Sequence, residues 1–329
     1  MAIAERKRTY LDALTCKKTK DLPYWGPPYR ASVGLMDEFE KGPSNGGPDG
    51  FGVIWEVTPD GSIPSSKSFL LKDICDWKKV VKFPDLEAID WRAKAERELS
   101  RFDRDSQVIE YSLGNAHFER LVALMGFENG LCALVEDPDA CEEFMQAFTE
   151  YRIAFIRKIA EYYHPDTICH YDDVAHLRGP FMSRAVYQKV IKPYHKLVND
   201  ECRRHGIIPI QHCCGKADSL AGDFVAEGAA MWTSVQASND IVSVLKKYGD
   251  RLVLAGGFDT NGAPSRIGAT EDERRAEIRR CIDTYAPYGS YMLSNLIVQG
   301  ETPEQGREAS RQLVDEALKY GRDFYKRRA

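Results

Sequence analysis

The 329-residue sequence has no run approaching the roughly 18 apolar residues that a membrane span needs. It has no signal-peptide pattern at its start either. The opening stretch "KRTYLDALTCKKTK" is interrupted by charge and no apolar segment follows it; Tyr10, Leu11 and Leu14 give it the look of an amphipathic first helix. Positive charge is not in excess. Lys and Arg total 45 against 50 Asp and Glu, a formal net charge of −5. That balance argues against a nucleic-acid groove or a basic patch for anionic membranes. The nine cysteines are odd in number and scattered. In a chain too long to need staples, the expectation is free, mostly buried thiols in a reducing cytoplasm.

Several catalytic signatures are missing as well. No Gly-x-Gly-x-x-Gly follows an apolar run, and no His-Glu-x-x-His occurs. "CGKAD" lacks the Ser or Thr after Lys216 and the upstream glycine of a phosphate-binding loop.

What is present is an alternation. Short apolar runs recur, each followed by a longer amphipathic segment: "PYWG", "VIWEV", "VIEYSL", "TICHYD", "IPIQH", "MWTSVQ", "LVLAGG" and "YMLSN". From Val108 onward the alternation is regular and implies right-handed βαβ units around a parallel sheet. Eight candidate strands in one domain spanning 1–329 fit an α/β fold of the (β/α)8 barrel type. The stretch 31–83 departs from the pattern. Its turn-rich "GPSNGGPDGFG" and "TPDGSIPSS" flank "VIWEV" and predict an excursion with a hairpin over the barrel mouth.

One helix is legible in detail. In "DPDACEEFMQAFTEYRIAFIRKIAEYYHP", Asp137 is a candidate N-cap and Pro138 stands at the first helical position. At 100° per residue, Phe144, Phe148, Phe155, Ile159 and Tyr163 share one face, and Glu143, Glu150, Arg157 and Glu161 share the other. Glu128, Glu143 and His164 could be imagined as an ion site. The last two, however, lie about 30 Å apart along one helix at 1.5 Å per residue, so one ion cannot touch both.

In a parallel barrel the chemistry sits at the carboxyl ends of the strands. That rule selects Tyr24, Trp25, Asn115, His117, His170, Tyr171, Asp172, Asp173, His212, Cys214, Gln236, Asp259 and Asn295. The His-x-Cys pair of "QHCCG" offers an imidazole and a thiolate, both good zinc ligands, but a third ligand must come from another strand end. Asp172, Asp173, His170 and Asp259 are the candidates. Asp172 and Asp173 are neighbours, so one is expected in the pocket and the other to cap the next segment or meet Arg178; either could be a general acid. Cys213 is expected in the core. Early aromatics, among them Tyr24 and Trp25, would line an apolar pocket suited to a flat ring.

Longer blocks carry a resemblance. "DGFGVIWEV" with "LLKDICDWKKVVKFPDLEAIDW", "FERLVALMGFENGLCALVEDPDACEEFM", "YDDVAHLRGPFMSRAVYQKVIKPYHKLVNDECRRHGIIPIQHCCGKADSLAGDFVAEGA" and "KKYGDRLVLAGGFD" together resemble the uroporphyrinogen decarboxylase superfamily, within it the corrinoid-dependent methyltransferase branch. The resemblance implies a (β/α)8 barrel with its pocket at the strand carboxyl ends. True decarboxylases hold a substrate of many carboxylates with an arginine-rich segment. Here the matching "YWGPPYRASVG" has only Arg30, which makes porphyrinogen decarboxylation the weaker reading.

Thiol-methylating members of that branch hold zinc with a His-x-Cys pair and a cysteine near the last strand. His212 and Cys214 match the pair, whereas "YMLSNLIVQG" has Ser294 and Asn295 and no cysteine. The resemblance therefore points to the first methyltransferase of anaerobic O-demethylation. Such an enzyme moves a methyl group from a methoxylated aromatic to the cob(I)alamin of a separate corrinoid protein. The chain itself has no Asp-x-His-x-x-Gly, the signature of proteins that carry the corrinoid. On this reading His212, Asp172 and Asp173 are catalytic, His212 serving as acid or hydrogen-bond donor. Tyr24, Trp25, Asn115, His117, Tyr171, Gln236, Asp259 and Asn295 bind substrate, and His212 and Cys214 are metal ligands. A zinc-dependent methylcobalamin:thiol methyltransferase and a barrel that only binds a small molecule or partner stand as alternatives.

Overall fold

A computed structural model describes residues 4–34, 38–58, 61–294, 298 and 300–328. Seven strands form one parallel sheet in chain order: Arg30–Val33, Val108–Leu113, Thr167–Tyr171, Ile208–His212, Met231–Val235, Val253–Gly256 and Tyr291–Met292. Closure comes from one further pairing. Tyr24 bridges Leu293 in parallel, and the Trp25 N–H donates to the Leu293 carbonyl at 2.8 Å. The first strand of the barrel is thus interrupted: Tyr24 meets the last strand, a turn intervenes, and Arg30–Val33 pairs with Val108–Leu113. Helices alternate with strands around the ring, as the α/β alternation predicts.

The strands are buried on both faces, which is why they read as continuous apolar runs. Every residue of Val108–Leu113 is buried, including Glu110 and Ser112 inside the barrel. Glu110 is not left alone there: it accepts from Trp25 Nε1 at 3.1 Å and pairs with Arg30, whose guanidinium stacks 4.1 Å from the Trp25 ring. The helix Pro138–Tyr163 follows its sequence pattern. Phe144, Phe148, Phe155, Ile159 and Tyr163 are fully buried, while Glu143, Glu150, Arg157 and Glu161 face solvent. Asp137 differs from expectation, since its side chain makes no capping bond.

The hairpin expected within 31–83 is present, and one candidate barrel strand is corrected. "VIWEV" is not a barrel strand. Ile54–Thr58 is the centre of a separate antiparallel sheet with Gly47–Pro48 and Gly61–Pro64, and Arg30–Val33 fills its place in the barrel. The excursion also packs against the long helix. Phe51 packs on Phe148 and Tyr151 of the long helix, with ring centroids 6.0 and 5.3 Å apart. Its anchor is a buried ion network. Arg120 Nη1 bonds Asp49 at 2.7 Å, Arg152 Nη2 bonds Glu40 at 2.8 Å, and Tyr151 donates to Glu40 at 3.0 Å. The segment Glu38–Lys41 brings Lys41 to the strand ends. The Lys41 stem lies across Gly114 so closely that a Cβ there would sit 2.7 Å from its Cε.

All nine cysteines are free thiols. No helix among the described residues is long and apolar enough to cross a membrane.

Candidate active site

The strand ends Thr167–Tyr171 and Ile208–His212 are neighbours in the sheet, with Tyr171 level with His212. Past them the chains run on as "DD" and "CC". Asp173 Oδ1 accepts the Cys214 N–H at 2.7 Å, which ties the two loops together. Gly215 then turns away with φ +80 and passes the backbone of Ala175, where a Cβ would lie 2.6 Å from the carbonyl. Only glycine fits that approach. The result is a cluster of Asp173, His212 and Cys214 whose ligand atoms all lie within 4.8 Å of one another.

Its geometry suits a metal. His212 Nε2 and Cys214 Sγ are 3.5 Å apart. A tetrahedral ion bound at the usual zinc–nitrogen and zinc–sulfur lengths would hold such a pair about 3.6 Å apart. The imidazole is in the right protonation state. Burial, with the charges of Lys41 and Arg30, pushes it down to about 3. Burial thus favours the neutral imidazole, which can coordinate or donate one N–H, the hydrogen-bond-donor half of its expected role. Its Nδ1 is buried and has no partner among the described residues. Burial and Asp173 push the Cys214 thiol up to about 12, so the thiolate that coordination requires would form only with the cation.

The neighbouring carboxylates divide their roles. Asp172, expected as a catalytic acid, points away from the cluster. It accepts the Phe118 and Glu119 N–H groups at 3.1 and 2.8 Å, at the start of the helix His117–Met125, and His195 Nε2 at 2.8 Å. A carboxylate at a helix N-terminus is stabilising, and this one is fully buried. It is a structural cap. Asp173 is the one that faces the site, just past the end of the strand.

Glu119 was not singled out from the sequence, because it sits inside a helix. Its Oε1 lies 3.4 Å from the Asp173 N–H. Burial, then the charges of Asp173 and Asp172, push its carboxyl up to about 8. Asp173 is raised too, first by burial. The pair therefore holds a proton at neutral pH. Lys41 also went unnoticed. It supplies positive charge to Glu119, Asp173 and His212, and among the described residues no ion pair is formed by it.

An aromatic wall borders the cluster. Tyr171 stacks on His212 at 4.1 Å and 24°, and the Trp25 ring centroid is 6.1 Å from that of His212. Tyr24 is buried nearby at the barrel seam.

Other expected contact residues are placed elsewhere. His117 is buried between helices and bonds Thr149 Oγ1 at 2.9 Å, so it belongs to the core and not to a substrate surface. Asn115 donates to the Glu40 carbonyl at 2.6 Å and holds the excursion. His170 is buried beside Cys202. Asp259 accepts the Asn261 N–H at 3.1 Å and closes its own turn. Gln236 is half-buried at the rim, and its carbonyl accepts from Asn239. Cys213 is fully buried, as expected. Ser294 is buried with its hydroxyl unpartnered among the described residues; Asn295 lies outside the described residues.

The comparisons with known proteins agree with this barrel. The "methyltransferase from Methanosarcina mazei" superposes with a TM-score of 0.69 at 13% identity, covering 96% of this chain and 98% of that one. At that identity the likeness is one of fold. Xylanase B from Clostridium stercorarium F9 reaches a TM-score of only 0.39 at 14% identity, over 64% of this chain and 73% of its own, too low to carry an argument. A search of the curated proteins gave no match. Residues 48–304 match the family model "Uroporphyrinogen decarboxylase (URO-D)". That match covers well over half of the sequence, and the chain belongs to the uroporphyrinogen decarboxylase family.

Proposed function

We propose that the protein is a corrinoid-dependent methyltransferase that takes a methyl group from an aryl methyl ether and passes it to the cob(I)alamin of a separate corrinoid protein. The observation that carries this reading is the convergence of Asp173, His212 and Cys214 beside the Tyr171 and Trp25 rings. The methyltransferase likeness in fold supports it, and the lone Arg30 weakens the decarboxylase reading because that arginine is already paired with Glu110.

In the reaction, the methyl carbon–oxygen bond breaks as cobalt(I) supplies the electron pair of the new cobalt–carbon bond. The former bonding pair leaves on oxygen as phenolate. The protein must therefore position the ether and stabilise that oxygen. A zinc-type ion held by Asp173, His212 and Cys214 would supply Lewis acidity there. Glu119 is the residue that carries a proton near pH 7 and can give it to the phenolate; Lys41 adds a positive charge over the same spot. The Tyr171 and Trp25 rings would flank the arene.

One observation favours a second reading. Asp173 provides the third ligand that the last strand does not, which restores a metal site able to activate a thiol as methyl acceptor. The two readings separate in one assay pair on the metal-loaded protein. Methylation of cob(I)alamin, followed by its visible spectrum with a panel of aryl methyl ethers, supports the first. Loss of methylcobalamin with simple thiols and no reaction with ethers replaces it with the second.

A further inference from the structure

Ser234 stands out in the strand Met231–Val235. Its φ is +64, in the left-handed region that glycine adopts freely and serine adopts at a cost. The pairing with Val253–Gly256 shifts register between Thr233 and Val235, so Ser234 is the extra residue of a bulge. Bulges re-aim a side chain. Here the strand would otherwise alternate regularly between barrel interior and helix layer. Instead the Ser234 N–H bonds Thr233 Oγ1 at 2.7 Å, and the buried Ser234 hydroxyl comes to 3.2 Å from Cys214 Sγ.

A turn alone would be better served by glycine. The hydroxyl at this position lies beside the sulfur of the candidate metal cluster. A thiolate can only accept, so once Cys214 is ionised the hydrogen bond must run from Ser234 Oγ to Sγ.

Resting on the metal reading of the site, we infer that Ser234 is a positioning residue. Its bulged, left-handed backbone presents a hydroxyl that orients the Cys214 thiolate toward a cation shared with Asp173 and His212. Partners of this kind behind a metal ligand typically account for about 10–100-fold in metal affinity.

The backbone makes the test clean. Ser234→Gly relieves the left-handed conformation and removes the hydroxyl; Ser234→Ala keeps the strain and removes the hydroxyl. The full chain, stripped of metal, is titrated with cobalt(II) and read by the thiolate-to-cobalt charge-transfer band and the dissociation constant. The expected result is a matching loss of at least about tenfold in cobalt affinity in both variants. A common shift of the band should accompany it, with Ser234→Gly at least as heat-stable as the parent. Unchanged affinity and band in both variants would make Ser234 an ordinary turn and overturn the inference, as would a loss in only one of them. A parent protein that takes up no cobalt overturns the metal reading itself, and the inference with it.

Discussion

The Cys214 amide donates to Asp173 Oδ1 at 2.7 Å, and through that bond the ends of two adjacent barrel strands hold one cluster. Asp173 therefore has a double role: it shapes the Cys214 loop and offers an anionic ligand. Asp173→Asn separates the two, since the amide oxygen still accepts the Cys214 N–H while the charge is gone. Zinc bound per chain after dialysis should be close to one in the parent and fall well below one in Asp173→Asn, His212→Ala and Cys214→Ser, with circular dichroism unchanged. Full zinc in Asp173→Asn would remove the carboxylate from the ligand set.

Glu119 sets the expected pH dependence of ether cleavage. Its carboxyl, raised to about 8 by burial and the two aspartates, is protonated below that value and charged above it. An acid that must be protonated gives a rate that falls as pH rises through about 8. Glu119→Gln keeps a donor of similar shape but no transferable proton. At pH 7 it should lose on the order of 10²–10⁴ in kcat, the usual worth of general acid catalysis. Its pH profile should also be flat through pH 7–9. A parent rate that stays level or climbs across pH 7–9 would sink the assignment.

The buried network Arg120–Asp49–Glu40–Arg152 should be what fastens the excursion to the barrel. Arg120 is fully buried with its guanidinium 3.9 Å from the Phe51 ring. Arg120→Met leaves the Asp49 charge without its cation, a change that costs about 3–5 kcal/mol in buried pairs. Because Lys41 adjoins Glu40, the loosening should reach the site. The expected outcome is a lower unfolding midpoint and faster proteolysis within 42–67, with the cuts absent in the parent. Equal proteolysis of both proteins would mean that aromatic packing alone holds the segment.

The barrel was legible because its strands are buried on both faces and its helices on one, and both patterns survive in a bare sequence. The His-x-Cys pair was legible for a similar reason, as both ligands lie on one local segment. Asp172 and Asp173 were not separable, since two adjacent carboxylates look alike until a helix N-terminus claims one of them. Glu119 and Lys41 were invisible because their relevance comes only from folding: one lies in the first turn of a helix, the other on an excursion whose docking depends on Arg120 and Arg152. His117 misled because it directly follows a strand end, yet Thr149 on the long helix draws it inward. "VIWEV" misled because a half-buried antiparallel strand and a short barrel strand share β-branched, aromatic composition.

His195 provides a test of the scaffold behind the site. It is buried between Asp172 and Glu227, with Nε2 to Asp172 at 2.8 Å and Nδ1 to Glu227 at 3.5 Å. Burial alone would lower it, but hydrogen bonds to the two carboxylates, with their charges, outweigh that and raise it to about 10. The group is raised above its ordinary value of 6.5, so its contribution is fully present below pH 6.5. Between 6.5 and about 10 the folded protein keeps a proton that the unfolded chain has lost, and stability falls as pH rises; above about 10 the contribution is gone. The urea midpoint of the parent should therefore decline from pH 6.5 to 9.5 more steeply than that of His195→Gln. At pH 6.5 that variant should be destabilised by about 3 kcal/mol, toward the low end for a broken buried pair because glutamine can still donate one N–H to Asp172. Parallel declines in the two proteins would show that His195 is neutral in the folded state and holds Asp172 only as an uncharged Nε2–H donor, beside the Phe118 and Glu119 amides.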